Sequence, residues 1–268
     1  MIKNKKLLKS IIHKIIFVVV FLVTWETIAK MKIFGNSSDL LFPSLEAIAT
    51  AFIDNFQKGY AGVSLWVYIK NSMVLLLEGI FIGIVLSFIL SGLSIISNIV
   101  YDIYDLLISI FDLLPGIALL PVIIIIFGIR KEVIVFLIVH AVIWPMSRNI
   151  LDGFNAVPKM YIEAGKNIGL KDVSLLFGVY IPASATYLLS GFKVAWARSW
   201  RGLISAEMIF GIASMPGLGL YINQMRTNME NAEMYATLIV IIVIGVIVQY
   251  GILGPIEKAT IKKWGMVK

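Results

Sequence analysis

Six long apolar runs constrain this chain more than any other feature. Crossing the hydrocarbon core of a bilayer takes about 20 predominantly apolar residues in a helix. Runs of that kind fall at Ile11–Ala29, Ser72–Ile96, Leu106–Phe127, Val133–Leu151, Ser184–Ile204 and Tyr235–Leu253. The fifth is the least regular, because it carries Lys193, Arg198 and Arg201. Composition agrees: 59% of the 268 residues are hydrophobic and 15% charged, with a mean hydropathy of +0.93, whereas soluble domains run at about 45–50% apolar and about 25% charged. The expectation is an all-α integral membrane protein with about six transmembrane helices and both ends on one side. Residues 1–65 read as an N-terminal transmembrane helix plus an external amphipathic helix, 66–257 as the transmembrane core, and 258–268 as a basic tail.

The net charge of +7 needs no nucleic acid to explain it, since Lys and Arg flank membrane spans. With the N-terminus inside, the inner segments hold Lys3, Lys5, Lys6, Lys9, Lys159, Lys166, Lys171, Lys258, Lys262, Lys263 and Lys268. The outer ones hold Lys30, Lys32, Lys58, Lys70, Arg130, Lys131 and Arg226. That bias places both termini in the cytoplasm. The basic head and apolar run of residues 1–30 also suit a signal peptide, but no small-residue cleavage site follows and the run is long enough to span. Absence of cysteine excludes disulfides, thiolate nucleophiles and Cys-based metal sites. The two histidines, His13 and His140, have no metal-ligand spacing.

The segment "FPSLEAIATAFIDNF" is a different kind of helix. Pro43 and Ser44 give a start signal, with Ser44 as N-cap. Leu45, Ile48, Ala49, Phe52, Ile53 and Phe56 then form one apolar stripe. Too short to span, it is expected to lie along the outer surface, for interfacial packing or for docking a partner. In "LLPGIALLPVIIIIFG", Pro115 and Pro121 interrupt the third span, which is tolerated only where protein or a wet cavity covers the freed backbone. Asp102, Asp105 and Asp112 suggest a lead-in helix before it. No internal repeat is visible, so a second half of any pore has to come from another chain.

One polar stretch, "EAGKNIGLKDVSLLFGVYIP" at residues 163–182, separates the fourth and fifth runs. With Glu163, Lys166, Lys171 and Asp172 inside ten positions, it is no span. Pro158 suits a first helical turn. Tyr161, Ala164 and Ile168 share one face, and Gly169 supplies the permissive backbone that stops the helix. A second helix, roughly "KDVSLLFG", returns the chain to Pro182. Two readings stay open on these grounds. In one the hairpin is merely solvated, with Glu163 paired to Lys159 or Lys166 for about 0.3–0.5 kcal/mol; in the other it is a docking knob for a cytoplasmic partner.

This stretch resembles the cytoplasmic loop of type I ATP-binding-cassette importer permeases: Glu-Ala-Ala, three residues, Gly, nine residues, then apolar-any-apolar-Pro. Glu163, Ala164, Gly169, Val179, Ile181 and Pro182 fit at the right spacing, and Gly165 replaces the second Ala. "LFPSLEAI", "LLPGIALLPVIIIIFGI", "WPMSRNILDGF", "WRGLISAEM" and "GLGLYI" extend the likeness to the subfamily importing sulfonates, taurine, nitrate, bicarbonate and vitamin precursors. The resemblance implies a type I transporter core whose loop, with Tyr161, Glu163, Ala164, Gly165, Gly169 and Pro182, is a coupling-helix pair seated on an ATPase subunit. It implies a homodimeric pore, two ATPase chains and an extracytoplasmic solute-binding protein in a bacterial plasma membrane. The binding protein's expected contacts are the helix Leu45–Phe56 and residues 211–235. No G-x-x-x-x-G-K-[ST] run exists here, so ATP and Mg belong to the partner and this chain carries no cofactor of its own.

Lys193, Arg198 and Arg201 cost roughly 2.5–3.5 kcal/mol each at a helix centre on insertion scales, so they are not expected to face lipid. With Trp196, Trp200 and Glu207 they form a candidate translocation path for an anion. Alternatively, Lys193 snorkels, the arginines pair with acids such as Glu207, and the tryptophans pack between helices. His140 is expected to be satisfied by a neighbouring helix, and Glu26 and Glu78 to be interfacial. The function expected is the permease subunit of an ATP-driven importer of a small solute, with a small organic or inorganic anion or a neutral vitamin precursor as cargo. An ion-coupled carrier or channel would need an acid or His relay, or a repeat. A membrane enzyme would need a companion for His140.

Overall fold

The computed structural model describes residues 2–35 and 38–260. Of the expected basic tail, Lys262, Lys263 and Lys268 lie outside the described residues, as do the side chains of Lys3, Lys5 and Lys6. Regular structure among the described residues is entirely helical. Four helices are long and apolar enough to cross a membrane, Lys9–Met31, Leu65–Ile95, Lys131–Asn155 and Asn231–Ala259, and two bent helix pairs raise the number to six. The chain divides into two compact units, Met1–Trp66 with Tyr221–Val240, and Val67–Leu220 with Ile241–Lys268.

In the first unit, α1 (Ile2–Met31) contains the expected first span. Its residues Phe17 to Val23 are all exposed, as suits a helix apolar on every side and meant for lipid. A single turn, α2 (Ser38–Leu41), leads to α3 (Leu45–Gln57). Ser44 caps α3 as its sequence indicates, accepting the Ala47 N–H at 3.2 Å. Glu26 on α1 accepts the Leu45 N–H at 2.9 Å, which puts a carboxylate on the positive end of α3.

The buried face of α3 is rotated from the apolar stripe. Ile48, Ala51 and Asn55 are buried, while Ala49, Phe52 and Ile53 are exposed. Asn55 turns inward because it is fully bonded there: Tyr221 Oη donates to its Oδ1 at 2.6 Å, and its Nδ2 donates to the Glu233 carbonyl at 3.2 Å. Residues 221–240 belong to α12 (Leu218–Thr227) and α13 (Asn231–Val246).

The second unit is built on α4 (Leu65–Ile96), α5 (Asn98–Phe111), α6 (Leu120–Phe127), α7 (Lys131–Asn155) and α11 (Ala185–Ile209), with α7 at its centre. Close approach is set by glycines, the usual device where helices meet in lipid without a hydrophobic drive. A Cβ on Gly79 or Gly83 of α4 would come within 2.5 Å of Ile138 or 2.7 Å of Val142 on α7. One on Gly191 of α11 would meet the Asn149 Cβ at 2.7 Å.

Three expected boundaries change. The third run is not one helix: α5 stops at Phe111, a 3-10 turn follows at Gly116–Leu119, and α6 leaves at 90° to α5. Only Pro115 belongs to the break; Pro121 sits in the first turn of α6, where its missing N–H costs nothing. The fifth run continues to Ile209, and the segment before it is bent by 78°. The sixth run starts earlier, at Asn231, and becomes π-helical over Ile247–Leu253 before α14 (Gly254–Thr260).

Candidate functional site

The polar stretch folds into a bracket of short helices: α8 (Lys159–Asn167), α9 (Asp172–Leu175), a π-helical turn at Leu176–Tyr180, and α10 (Ile181–Ala183). Its first corner is a Schellman motif. Leu170 N–H reaches the Gly165 carbonyl at 3.0 Å and Gly169 N–H the Lys166 carbonyl at 3.0 Å, with Gly169 at φ +91°. At the second corner Ser174 Oγ accepts the Lys171 N–H at 2.8 Å and donates to the Lys171 carbonyl at 2.7 Å.

Gly165 is buried against Val179 and Leu175, where an added Cβ would meet side-chain carbons at 2.8 and 2.9 Å. Tyr161, Glu163, Ala164 and Pro182 are exposed. So are Met160, Ile168, Val173 and Phe177, the last three at 63–78%. Glu163 makes no ion pair among the described residues, so the pairing with Lys159 or Lys166 that the solvated-hairpin reading carries does not occur there. The bracket therefore spends its glycines and turn hydroxyl on its own shape and leaves a mixed apolar and acidic surface open.

Several of the charges inside the spans are paired with acids, as the second of the two sequence readings has it, but with partners other than Glu207. Arg198 on α11 is bonded to Asp112, at the end of α5. Lys193 is bonded to Glu257 on α14, and Arg148 on α7 to Asp105 on α5. Neither arginine of α11 pairs with Glu207. That carboxylate is 2% exposed and held by Ser72 Oγ at 2.8 Å and the Gly219 N–H at 2.9 Å, while Ser72 Oγ accepts the Leu218 N–H at 2.9 Å. Glu207 is thus a lock joining α4, α11 and the start of α12.

A cavity of about 440 Å³ opens where the broken third span meets α7 and α11. Of the six candidate path residues, Arg198 and Arg201 line it. Lys193, Trp196, Trp200 and Glu207 do not; Trp196 and Trp200 are buried and stack on each other at 6.1 Å, with ring planes 6° apart. His140 and Trp144 line the cavity from α7. Contrary to expectation, His140 Nε2, like Trp144 Nε1, is buried without a hydrogen-bond partner among the described residues.

Residues 79–260 match the family described as binding-protein-dependent transport system inner membrane component. The chain belongs to this family. It is similar to the taurine transport system permease protein TauC of Escherichia coli, 24% identical over 87% of this chain and 83% of the relative. A putative ABC transporter permease protein of Methanocaldococcus jannaschii is 28% identical over 91% of this chain and 89% of its own length. The nitrate import permease protein NrtB of Synechocystis is 24% identical over 89% and 85%. This chain is a multi-pass transport subunit of an ATP-binding-cassette importer.

In this permease, sequence reasoning found the bracket and the two arginines but missed Ser72, Asp112 as an ion-pair partner, and the cavity face of His140 and Trp144. A signal for Asp112 was present. Ionisable residues within spans pair with one another, and Asp105 and Asp112 sit beside an apolar run, so they needed cations to match.

Proposed function

We propose that this permease carries a small anion inward across a bacterial plasma membrane as one of two copies of a twofold pore. Two ATPase subunits sit beneath it, and an extracytoplasmic solute-binding protein delivers cargo from outside. ATP and Mg are handled on the ATPase chain; both termini of the permease are cytoplasmic. The bracket at residues 158–183 is the lever on which the ATPase acts, and α3 and residues 211–235 receive the binding protein. Anionic cargo is supported by relatives named for taurine and nitrate and by basic residues on the cavity wall.

The observation that carries the reading is the bracket's surface. A solvated hairpin has no reason to expose Ile168 at 78% and Phe177 at 65% beside a Glu163 without an internal partner, whereas an exposed apolar patch with a charge on it is what a protein contact uses. Purification from native membranes is expected to bring an ATPase subunit with the chain, and proteoliposomes of that complex to take up anion in an ATP-dependent, vanadate-sensitive manner. The double variant Glu163→Arg, Gly169→Val is expected to insert normally while losing both ATPase and uptake. Uptake by the isolated chain, without ATP, would refute the proposal.

A further inference from the structure

We propose that the cavity beside Arg201 is a seat for an organic monoanion with a short apolar body. For its biological setting the seat rests on the importer reading above; its argument rests on charge and volume.

Every other cation on α7 and α11 has an acid of its own: Lys131 has Glu78, Arg148 has Asp105, Lys193 has Glu257 and Arg198 has Asp112. Arg201 has none among the described residues. A guanidinium within a span is costly unless something anionic or aqueous meets it, and what Arg201 meets is the cavity. With Asp112 cancelling Arg198, Arg201 is the one guanidinium of the lining left without an acid among the described residues. A monoanion neutralises it, whereas a dianion leaves a second negative charge without a partner on the lining.

Two further groups point to a ligand with acceptor atoms. Trp144 carries an indole N–H and His140 an imidazole nitrogen, each buried and unbonded, and a buried donor without a partner is expensive to keep. Arg201 supplies a planar fork suited to two oxygens of one head group. Apart from Ser205 the rest of the lining is apolar, including Phe111 stacked on Trp144 at 5.0 Å, with Leu114, Ile117 and Leu137. At about 440 Å³ the cavity falls within the range for small organic ligands, roughly 300–1,000 Å³. A bare inorganic oxyanion, close to two waters or about 60 Å³, would leave most of it unfilled. The seat therefore holds a charged head at Arg201 and an apolar body against Phe111 and Leu137.

The full-length permease, purified with its associated subunits into nanodiscs, is titrated with 2-bromoethanesulfonate while tryptophan fluorescence is read. Bromine quenches a nearby indole, and the ion is a monoanion with a short apolar body. Saturable quenching is expected, reduced by Trp144→Phe, with sulfate a poor competitor and neutral 2-bromoethanol giving only a linear, non-saturating response. Arg201→Gln should weaken binding by about tenfold or more, with Arg201→Lys between the two. Gly202→Leu provides a check that does not depend on removing a charge. Gly202 lines the cavity and a Cβ there touches nothing within 4 Å, so this variant should fold normally and block binding by occupying the space. Unchanged affinity in both Arg201→Gln and Gly202→Leu, or sulfate competing on equal terms, overturns the seat. If ATP-driven anion uptake persists alongside either result, the importer reading stands and only the seat falls; if the wild-type complex shows no such uptake, the importer reading falls independently.

Discussion

Gly169 isolates the shape of the bracket from its surface chemistry. It sits at φ +91°, and no atom lies within 4 Å of where its Cβ would be. A substitution there collides with nothing, so its cost is purely that of the backbone. Side chains with a Cβ pay about 1–2 kcal/mol in left-handed conformations. Branching at Cβ puts Val at or beyond the top of that range, while Asn, whose short amide bonds locally, tolerates the region. At about 1.4 kcal/mol per factor of ten, Gly169→Ala should reduce the population of the native corner about 5–30-fold relative to opened forms. If the ATPase grips only the folded corner, its retention through purification and the rate of ATP-driven uptake should fall in the order Gly, Asn, Ala, Val. Retention is read from the subunit ratio on a gel, uptake from proteoliposomes at equal permease content. The diagnostic step is Asn against Val. Both exceed glycine in size and both place their Cβ in open space, so equal transport by the two would refute a requirement for the left-handed corner.

Ser72→Ala removes a hydroxyl that donates to Glu207 and accepts from Leu218. It should destabilise the permease by about 2–5 kcal/mol, seen as a lower unfolding midpoint in detergent, and Glu207→Gln should cost less because the amide oxygen still accepts one bond and its N–H can donate to Ser72 Oγ. Asp112→Asn strands Arg198; because the two side chains are 29% and 39% exposed, the loss should be about 1–2 kcal/mol rather than the 3–5 of a fully buried pair. Adding Arg198→Gln should recover stability, and failure to recover it would mean the pair is not the contact that matters. Val194→Gly, on an exposed face of α11, softens that helix by about 0.3–0.5 kcal/mol and should lower the anion moved per ATP hydrolysed while leaving ATPase retention intact.

Apolar length and local signals carried most of what was legible from residues alone. The spans could be read because a bilayer fixes the length of a run. Ser44 and Gly169 could be read because a cap and a left-handed corner each demand a narrow set of residue types. The errors share one origin, which is that periodicity and composition describe a segment in isolation. Asn55 is buried because Tyr221 reaches it from 166 residues away; no pattern within α3 could turn that polar side chain inward. Pro121 looked like a second break because a proline inside an apolar run reads as an interruption, whereas its place in the first turn of α6 depends on the chain having already stopped at Phe111. The acids before Pro115 read as a cytoplasmic lead-in helix. Two of them answer cations that arrive from α7 and α11, 43 and 86 residues later.

The bracket and the cavity share one structural element. Ser184, where the chain turns by 78°, opens α11, which runs unbroken to Ile209. Arg201 lies 17 residues beyond that corner, about 26 Å along a helix rising 1.5 Å per residue. Over such a lever a tilt of about 5° displaces the guanidinium by about 2 Å, the scale on which packed helices shift between discrete arrangements. Arg198 lies on the same helix but is tied to Asp112, next to the broken third span, so the tilt that carries Arg201 also loads that ion pair. An ion pair spanning the two elements tolerates little extension before it exchanges its partner for water, which gives the arrangement two states rather than a continuum. A push at an exposed corner can thereby alter how the lining of a cavity some five helical turns away presents its one unpaired charge, without any side chain linking the two sites directly.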